Sequence, residues 1–162
     1  MNDFFTKTDL SRKDAENIIS ETLNKCDDGE LYLESSKSES IVLDDDKIKN
    51  STYSSDLGYG LRAVTGEVVA YSHSNEISKN SLKQSASNLS STLKSQKGVY
   101  NQEIPTTNEK FYNNINPIEE KSLKSKLELL KEINSYTRAK GSIVQQVTAS
   151  FAGEHKSIEI IR

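Results

Sequence analysis

Between residues 11 and 26 the apolar positions Ala15, Ile18, Ile19, Leu23 and Cys26 recur every three or four residues. That spacing lines one face of an amphipathic helix. Ser11 is placed to cap it, and Asp14 sits near the positive end of its dipole. Asp27-Asp28-Gly29 ends it. From Glu30 the period falls to two. Leu31 and Leu33 alternate with Tyr32 and Glu34, the signature of a strand. Ile41 to Leu43 predicts a second strand, closed by Asp44-Asp45-Asp46-Lys47, and Ile48 to Ser54 a third. After a turn at Asp56-Leu57-Gly58, a fourth strand through Leu61, Ala63 and Val64 leads to Thr65-Gly66. A two-residue hairpin is expected there, because glycine reaches positive φ without a Cβ clash. Val68, Val69 and Tyr71 return as the fifth strand. Short strands joined by short turns are most simply built as an antiparallel five-stranded meander.

Beyond the meander, Ser74 or Asn75 is expected to cap a helix whose apolar stripe is Leu82, Ala86, Leu89 and Leu93. Residues 96–117 show little periodicity, carry both prolines and predict an extended crossing loop. Leu123, Leu127, Leu130 and Ile133 or Asn134 mark a further helix, beginning near Glu119 and fading at Gly141. Residues 143–151 and 156–161 predict a C-terminal hairpin around Ala152-Gly153-Glu154. The fold class expected is therefore α+β: an N-terminal helix, the five-stranded meander, two further helices and the hairpin, all in one domain over residues 1–162. Ile158, Ile160 and Ile161 make an apolar end that would prefer another neighbour, as expected of part of a longer design.

Composition adds limits. Apolar residues form 33% of the 162-residue chain, low for a globular protein, and Lys outnumbers Arg 17 to 4. The orderly apolar pattern nevertheless favours a folded chain over a disordered one. A net charge of −3 argues against nucleic acid as a partner, since neutralising phosphates needs clustered cations. The most basic run, Lys121 to Lys131, is interleaved with Glu119, Glu120, Glu128 and leucines, and reads as a solvated helix face. A single cysteine, Cys26, excludes an intramolecular disulfide and reads as a buried structural thiol in a reducing compartment. The first residues carry no apolar signal segment, and no apolar run approaches bilayer length. A cytoplasmic location is the expectation.

Residues able to carry chemistry are few. His73 and His155 are the only histidines and stand far apart in sequence. A water-activating zinc centre needs imidazoles and a carboxylate one helix turn apart, and that spacing does not occur. No catalytic, cofactor or metal residue is assigned on this basis. Asp44-Asp45-Asp46 lacks the spacing of a calcium loop and reads as a solvated turn. Gly58-x-Gly60 precedes a strand and lacks the third glycine of a phosphate loop. Arg62 and Glu67 are expected to face each other across the hairpin at Gly66 as a cross-strand ion pair. These three residues are the candidates for a structural or substrate-channel role.

Two segments carry a family resemblance. Gly58 to Ser78 contains Arg62-Ala63-Val64-Thr65-Gly66-Glu67, and Val144 to Lys156 contains Val147-Thr148-Ala149-Ser150. Both are similar to segments of the TldD/PmbA family of zinc metallopeptidases, also described as modulators of DNA gyrase. The resemblance implies the N-terminal α+β domain of a dimeric assembly that encloses unfolded peptides. It places the metal-binding His-Glu-x-x-x-His helix and its zinc in a C-terminal domain absent from these residues. This chain alone is then expected not to hydrolyse peptides. Its implied partners are a C-terminal TldD-like half or a TldE/PmbA-like subunit, and an extended peptide. A stand-alone peptide- or partner-binding module, or the remnant of a truncated gene, are the competing readings.

Overall fold

The computed structural model describes residues 4–93 and 115–162. In chain order the elements are α1 (Arg12–Leu23), β1 (Asp28–Asp44), β2 (Lys47–Thr65), β3 (Val68–Ser74), α2 (Lys79–Leu93), α3 (Pro117–Glu120), α4 (Leu123–Arg138) and β4 (Thr148–Ile161). The class is α+β, with one four-stranded sheet in the order β3-β2-β1-β4. β2 and β3 pair antiparallel from Tyr59↔Ser74 to Thr65↔Val68. β4 runs antiparallel to β1, since Thr148 bonds to Asp44 at one end and Arg162 to Glu30 at the other.

The chain forms two compact units, the first from Met1–Ser35, Asp56–Asn113 and Ser157–Arg162. Its core joins the inner faces of α1 (Ala15, Ile19, Leu23) and α2 (Leu82, Ala86, Leu89, Leu93) to Leu31, Leu33, Leu61, Ala63 and Ala70 of the sheet. Each fully buried Leu or Ile contributes about 1.5–3 kcal/mol. The Ser11 hydroxyl caps α1 by accepting the Asp14 N–H at 3.0 Å. Cys26 is a free, buried thiol in this core. Ser36–Ser55 and Asn114–Lys156 form the second unit, where Ile41, Leu43, Leu130 and Ala149 cluster with Leu127 and Phe151 beside them.

The strands differ from the expected pattern. In place of five short strands before α2 there are three, two of them 17 and 19 residues long. The polar stretches Ser35–Ser40 and Asn50–Ser55 break the apolar alternation, yet the backbone stays extended through them. Ladder hydrogen bonds need no apolar side chain, and β1 has a neighbour on each edge. The expected C-terminal hairpin is likewise one strand, β4, which runs straight through Ala152-Gly153-Glu154. Gly153 has no positive φ and faces Ile118 and Glu39 at ordinary contact distance, so it admits neighbours rather than turning the chain.

Helix boundaries also moved. α2 begins at Lys79, where the Ser78 hydroxyl accepts the Ser81 N–H at 3.1 Å; Ser74 instead closes a turn with the Glu76 N–H. The helix expected from Glu119 is two pieces, because the backbone extends at Lys121 before Ser122 caps α4. On α4 the buried stripe is Lys126, Leu130 and Asn134, whereas Leu123 and Ile133 are exposed. The loop expected over 96–117 lies outside the described residues except at its end, where Pro117 opens α3.

Candidate functional site

On the sheet face opposite its helices the first unit carries a group of charged and aromatic side chains. Strand alternation turns Leu31 and Leu33 inward, and with them turns Glu30, Tyr32 and Glu34 outward. Arg62 lies on the same outer face. Its guanidinium meets Asp28 at 3.1 Å and Glu30 at 4.0 Å, while Glu30 also accepts from Arg162 at 2.6 and 3.1 Å. The result is a chain of alternating charge across β2, β1 and β4. Beside it the Tyr71 ring lies over Gly60, where an added Cβ would come within 2.6 Å of the phenolic oxygen. Tyr71 stacks on His73 with ring centroids 5.8 Å apart. The Tyr32 hydroxyl donates to Glu34, and that bond to a carboxylate pushes the phenol up to about 12. At neutral pH it holds its proton and donates it to Glu34.

The expected Arg62–Glu67 pair does not form. The strands pair Thr65 with Val68, so the hairpin's two turn residues are Gly66 and Glu67 rather than Thr65 and Gly66. Arg62 therefore sits opposite Tyr71, and Glu67 lies at the tip. Gly66 has φ +59, which glycine adopts without strain, and its N–H donates to Asp27 at 2.6 Å. Gly66 and Glu67 shape the turn; Arg62 belongs to the carboxylates of β1.

The second unit holds two constellations that sequence reasoning missed. At the β1–β2 turn, Asp45 and Asp46 have φ of 47 and 65, the paired positive values of a two-residue hairpin. This agrees with the expected turn, but the aspartates also bind. Asp44 accepts from Gln146 and Thr148, each at 2.8 Å, and these bonds hold its carboxyl below the usual range. Asp45 accepts the Val147 N–H at 3.0 Å and pairs with Arg138. Thr148 belongs to the Val-Thr-Ala-Ser segment, the one signal that could have pointed here.

The other is Lys126, read from sequence as part of a solvated face and in fact buried. Its ammonium pairs with Glu39, donates to the Ile118 carbonyl at 2.6 Å and lies 5.6 Å from the Phe151 ring centre. The apolar Leu123, Leu127 and Leu130 around it in sequence were the available signal, since a lysine on an apolar stripe must bury its stem. Between the start of β2 and α4 a groove of about 660 Å³ is lined by Ile48, Leu123 and Leu127 with lysines at its margin.

Among the described residues no three His, Cys, Asp or Glu side chains are grouped as metal ligands. His73 lies on β3 in the first unit and His155 on β4 in the second. These arrangements hold strands and present polar groups. No described helix is long and apolar enough to cross a membrane.

An antiparallel sheet of four described strands with helices packed against it defines the class as an α+β domain. Comparison with known proteins gives that class a family: residues 29–92, which span β1 to α2, match the PmbA/TldA metallopeptidase domain 1. The chain is 35% identical over 133 residues to a metalloprotease TldD homolog of Buchnera aphidicola subsp. Acyrthosiphon pisum, covering 82% of this chain and 28% of that protein. To the TldD homolog of Haemophilus influenzae it is 29% identical over 167 residues, covering 99% and 34%. The chain belongs to the TldD/PmbA family, whose N-terminal domain it represents. It spans about a third of the length of the curated relatives it matches.

Solved structures share the fold. A Bacteroides thetaiotaomicron protein described as a modulator of DNA gyrase superposes with a TM-score of 0.58 at 18% identity, covering 89% of this chain and 37% of the other. TldE of Thermococcus kodakarensis gives 0.57 at 11% identity, covering 91% and 34%.

Proposed function

We propose that this chain provides the N-terminal, non-catalytic portion of a TldD-like metalloprotease and helps enclose unfolded peptide substrates. The match of residues 29–92 to the family's first domain carries this reading. The sheet suits the task. In the second unit β2 is the outermost described strand, and its residues 47–55 are all exposed. Such an edge offers backbone donors and acceptors to an extended chain without reading its side chains. The zinc and the water it activates would be held outside the described residues, by a C-terminal TldD-like half, and a TldE/PmbA-like subunit would complete the enclosure. The single buried thiol suits a reducing, cytoplasmic setting.

The test mixes the purified chain with the metal-binding portion of a TldD relative and zinc, then follows cleavage of an unstructured peptide. Association and cleavage are expected in the mixture, and neither component should cleave alone. Lack of association together with lack of cleavage would sink the reading.

A further inference from the structure

We infer that the groove between the start of β2 and α4 is a docking site for an extended peptide segment that carries an aliphatic side chain beside a carboxylate. This inference rests on the proposed role in peptide enclosure and adds to it a location and a ligand chemistry. Three observations within the second unit carry it. The first is apolar: Ile48, Leu123 and Leu127 line the groove, and Ile48 and Leu123 are each 54% exposed. Water over two such side chains is a cost that an aliphatic group would relieve.

The second is backbone. Ile48 belongs to β2, the outermost described strand of this unit, and no described strand pairs with its outer edge at residues 47–55, so a chain seated beside Ile48 has backbone groups to meet. Strand addition supplies hydrogen bonds, and alternate side chains of the added strand then point toward the helix. The third is charge. On a chain of net charge −3, this groove has three lysines against two carboxylates. Lys124 lies 3.9 Å from Glu128. Among the described residues Lys47 and Lys131 have no carboxylate within ion-pair distance. Two unmatched ammonium groups beside an apolar floor favour a ligand bearing a side-chain or terminal carboxylate over a neutral one.

The experiment uses the full chain and a fluorescein-labelled, unstructured peptide of alternating threonine and leucine ending in glutamate. Binding is read by anisotropy, and its location by amide chemical shifts. Saturable binding is expected, with shifts concentrated at residues 47–55 and 123–131. The double variant Lys47→Glu/Lys131→Glu, whose side chains are outside the core, should weaken binding at least tenfold. Ile48→Asp should do the same, and an amidated peptide with glutamine in place of glutamate should bind several-fold more weakly. Unchanged affinity in the charge variant, shifts concentrated elsewhere, or absence of binding would overturn the site. So would self-association of the chain that the same variants abolish, since a second copy would then be the occupant. The cleavage assay separates the two ideas: activity in the mixture with no effect of these variants leaves the enclosure role standing and removes the groove from it.

Discussion

Lys126 shows most clearly how one residue's surroundings set its role. An ammonium withdrawn from water costs several kcal/mol unless it is matched. Here Glu39, the Ile118 carbonyl and the face of Phe151 supply the match. Lys126→Met should destabilise the fold by about 3–5 kcal/mol, because it strands the largely buried Glu39 carboxylate. Lys126→Met/Glu39→Gln should cost clearly less than the single change. Urea unfolding of both variants checks this, and equal losses would mean that the two side chains act independently. Tyr32 gives a second residue-scale outcome. Its phenol is raised from 10.0 to about 12 by the bond to Glu34, so the folded state holds the proton more tightly than the unfolded one. The stability this contributes is present below pH 10 and is lost as pH rises from there through about 12. Phenolate absorbance should show one tyrosine titrating late in the folded chain and normally in Glu34→Gln.

At the scale of elements, turn chemistry decides where the long strands begin and end. The β1–β2 turn places two non-glycine residues at positive φ, which costs aspartate less than most residues but more than glycine. The two positions should respond in opposite directions. Asp46→Gly should be neutral or stabilising by up to about 1 kcal/mol, since glycine is preferred there in such hairpins. Asp45→Gly should destabilise, because the carboxylate that meets Val147 and Arg138 is lost with it. Thermal melting of the two single variants decides the matter; a like effect from both would show that backbone conformation alone matters. α4 makes the same point about burial. Its periodicity located the helix, but the buried face is rotated towards Lys126 and Asn134, leaving Leu123 and Ile133 in water.

For the whole molecule, surface carboxylates link folding to pH. Asp14 is held below its ordinary value of 3.8 chiefly by its bond to Lys79, Asp44 by Gln146 and Thr148, and Glu119 below 4.5 by Lys37. A depressed carboxyl stabilises the fold above its unfolded value and loses that contribution as pH falls through the folded one. The urea midpoint should therefore hold near neutrality and drop steadily as pH falls below about 4.5. Asp44→Asn should lose part of that acid sensitivity. A midpoint that stays constant down to about pH 3 would contradict the linkage.

Much of this protein was legible in the residues themselves. α1 with its Ser11 cap, the stripe of α2, the buried Cys26, the aspartate turn and the α+β class all follow from period, capping and turn preference. Those are local effects, set by residues within one or two turns of each other. Both motif segments also pointed to the family that the comparisons identify. What only the tertiary structure decided is non-local. A polar stretch such as Ser35–Ser40 remains strand because its backbone is paired on both sides, which no alternation records. A hairpin displaced by one residue moves Arg62 from Glu67 to Asp28 and Glu30. Lys126 is buried because Glu39, 87 residues away in sequence, is there to meet it. Pairing partners lie outside any local window, so the elements could be read from the chain, whereas their neighbours, and the charges they match, came only with the fold.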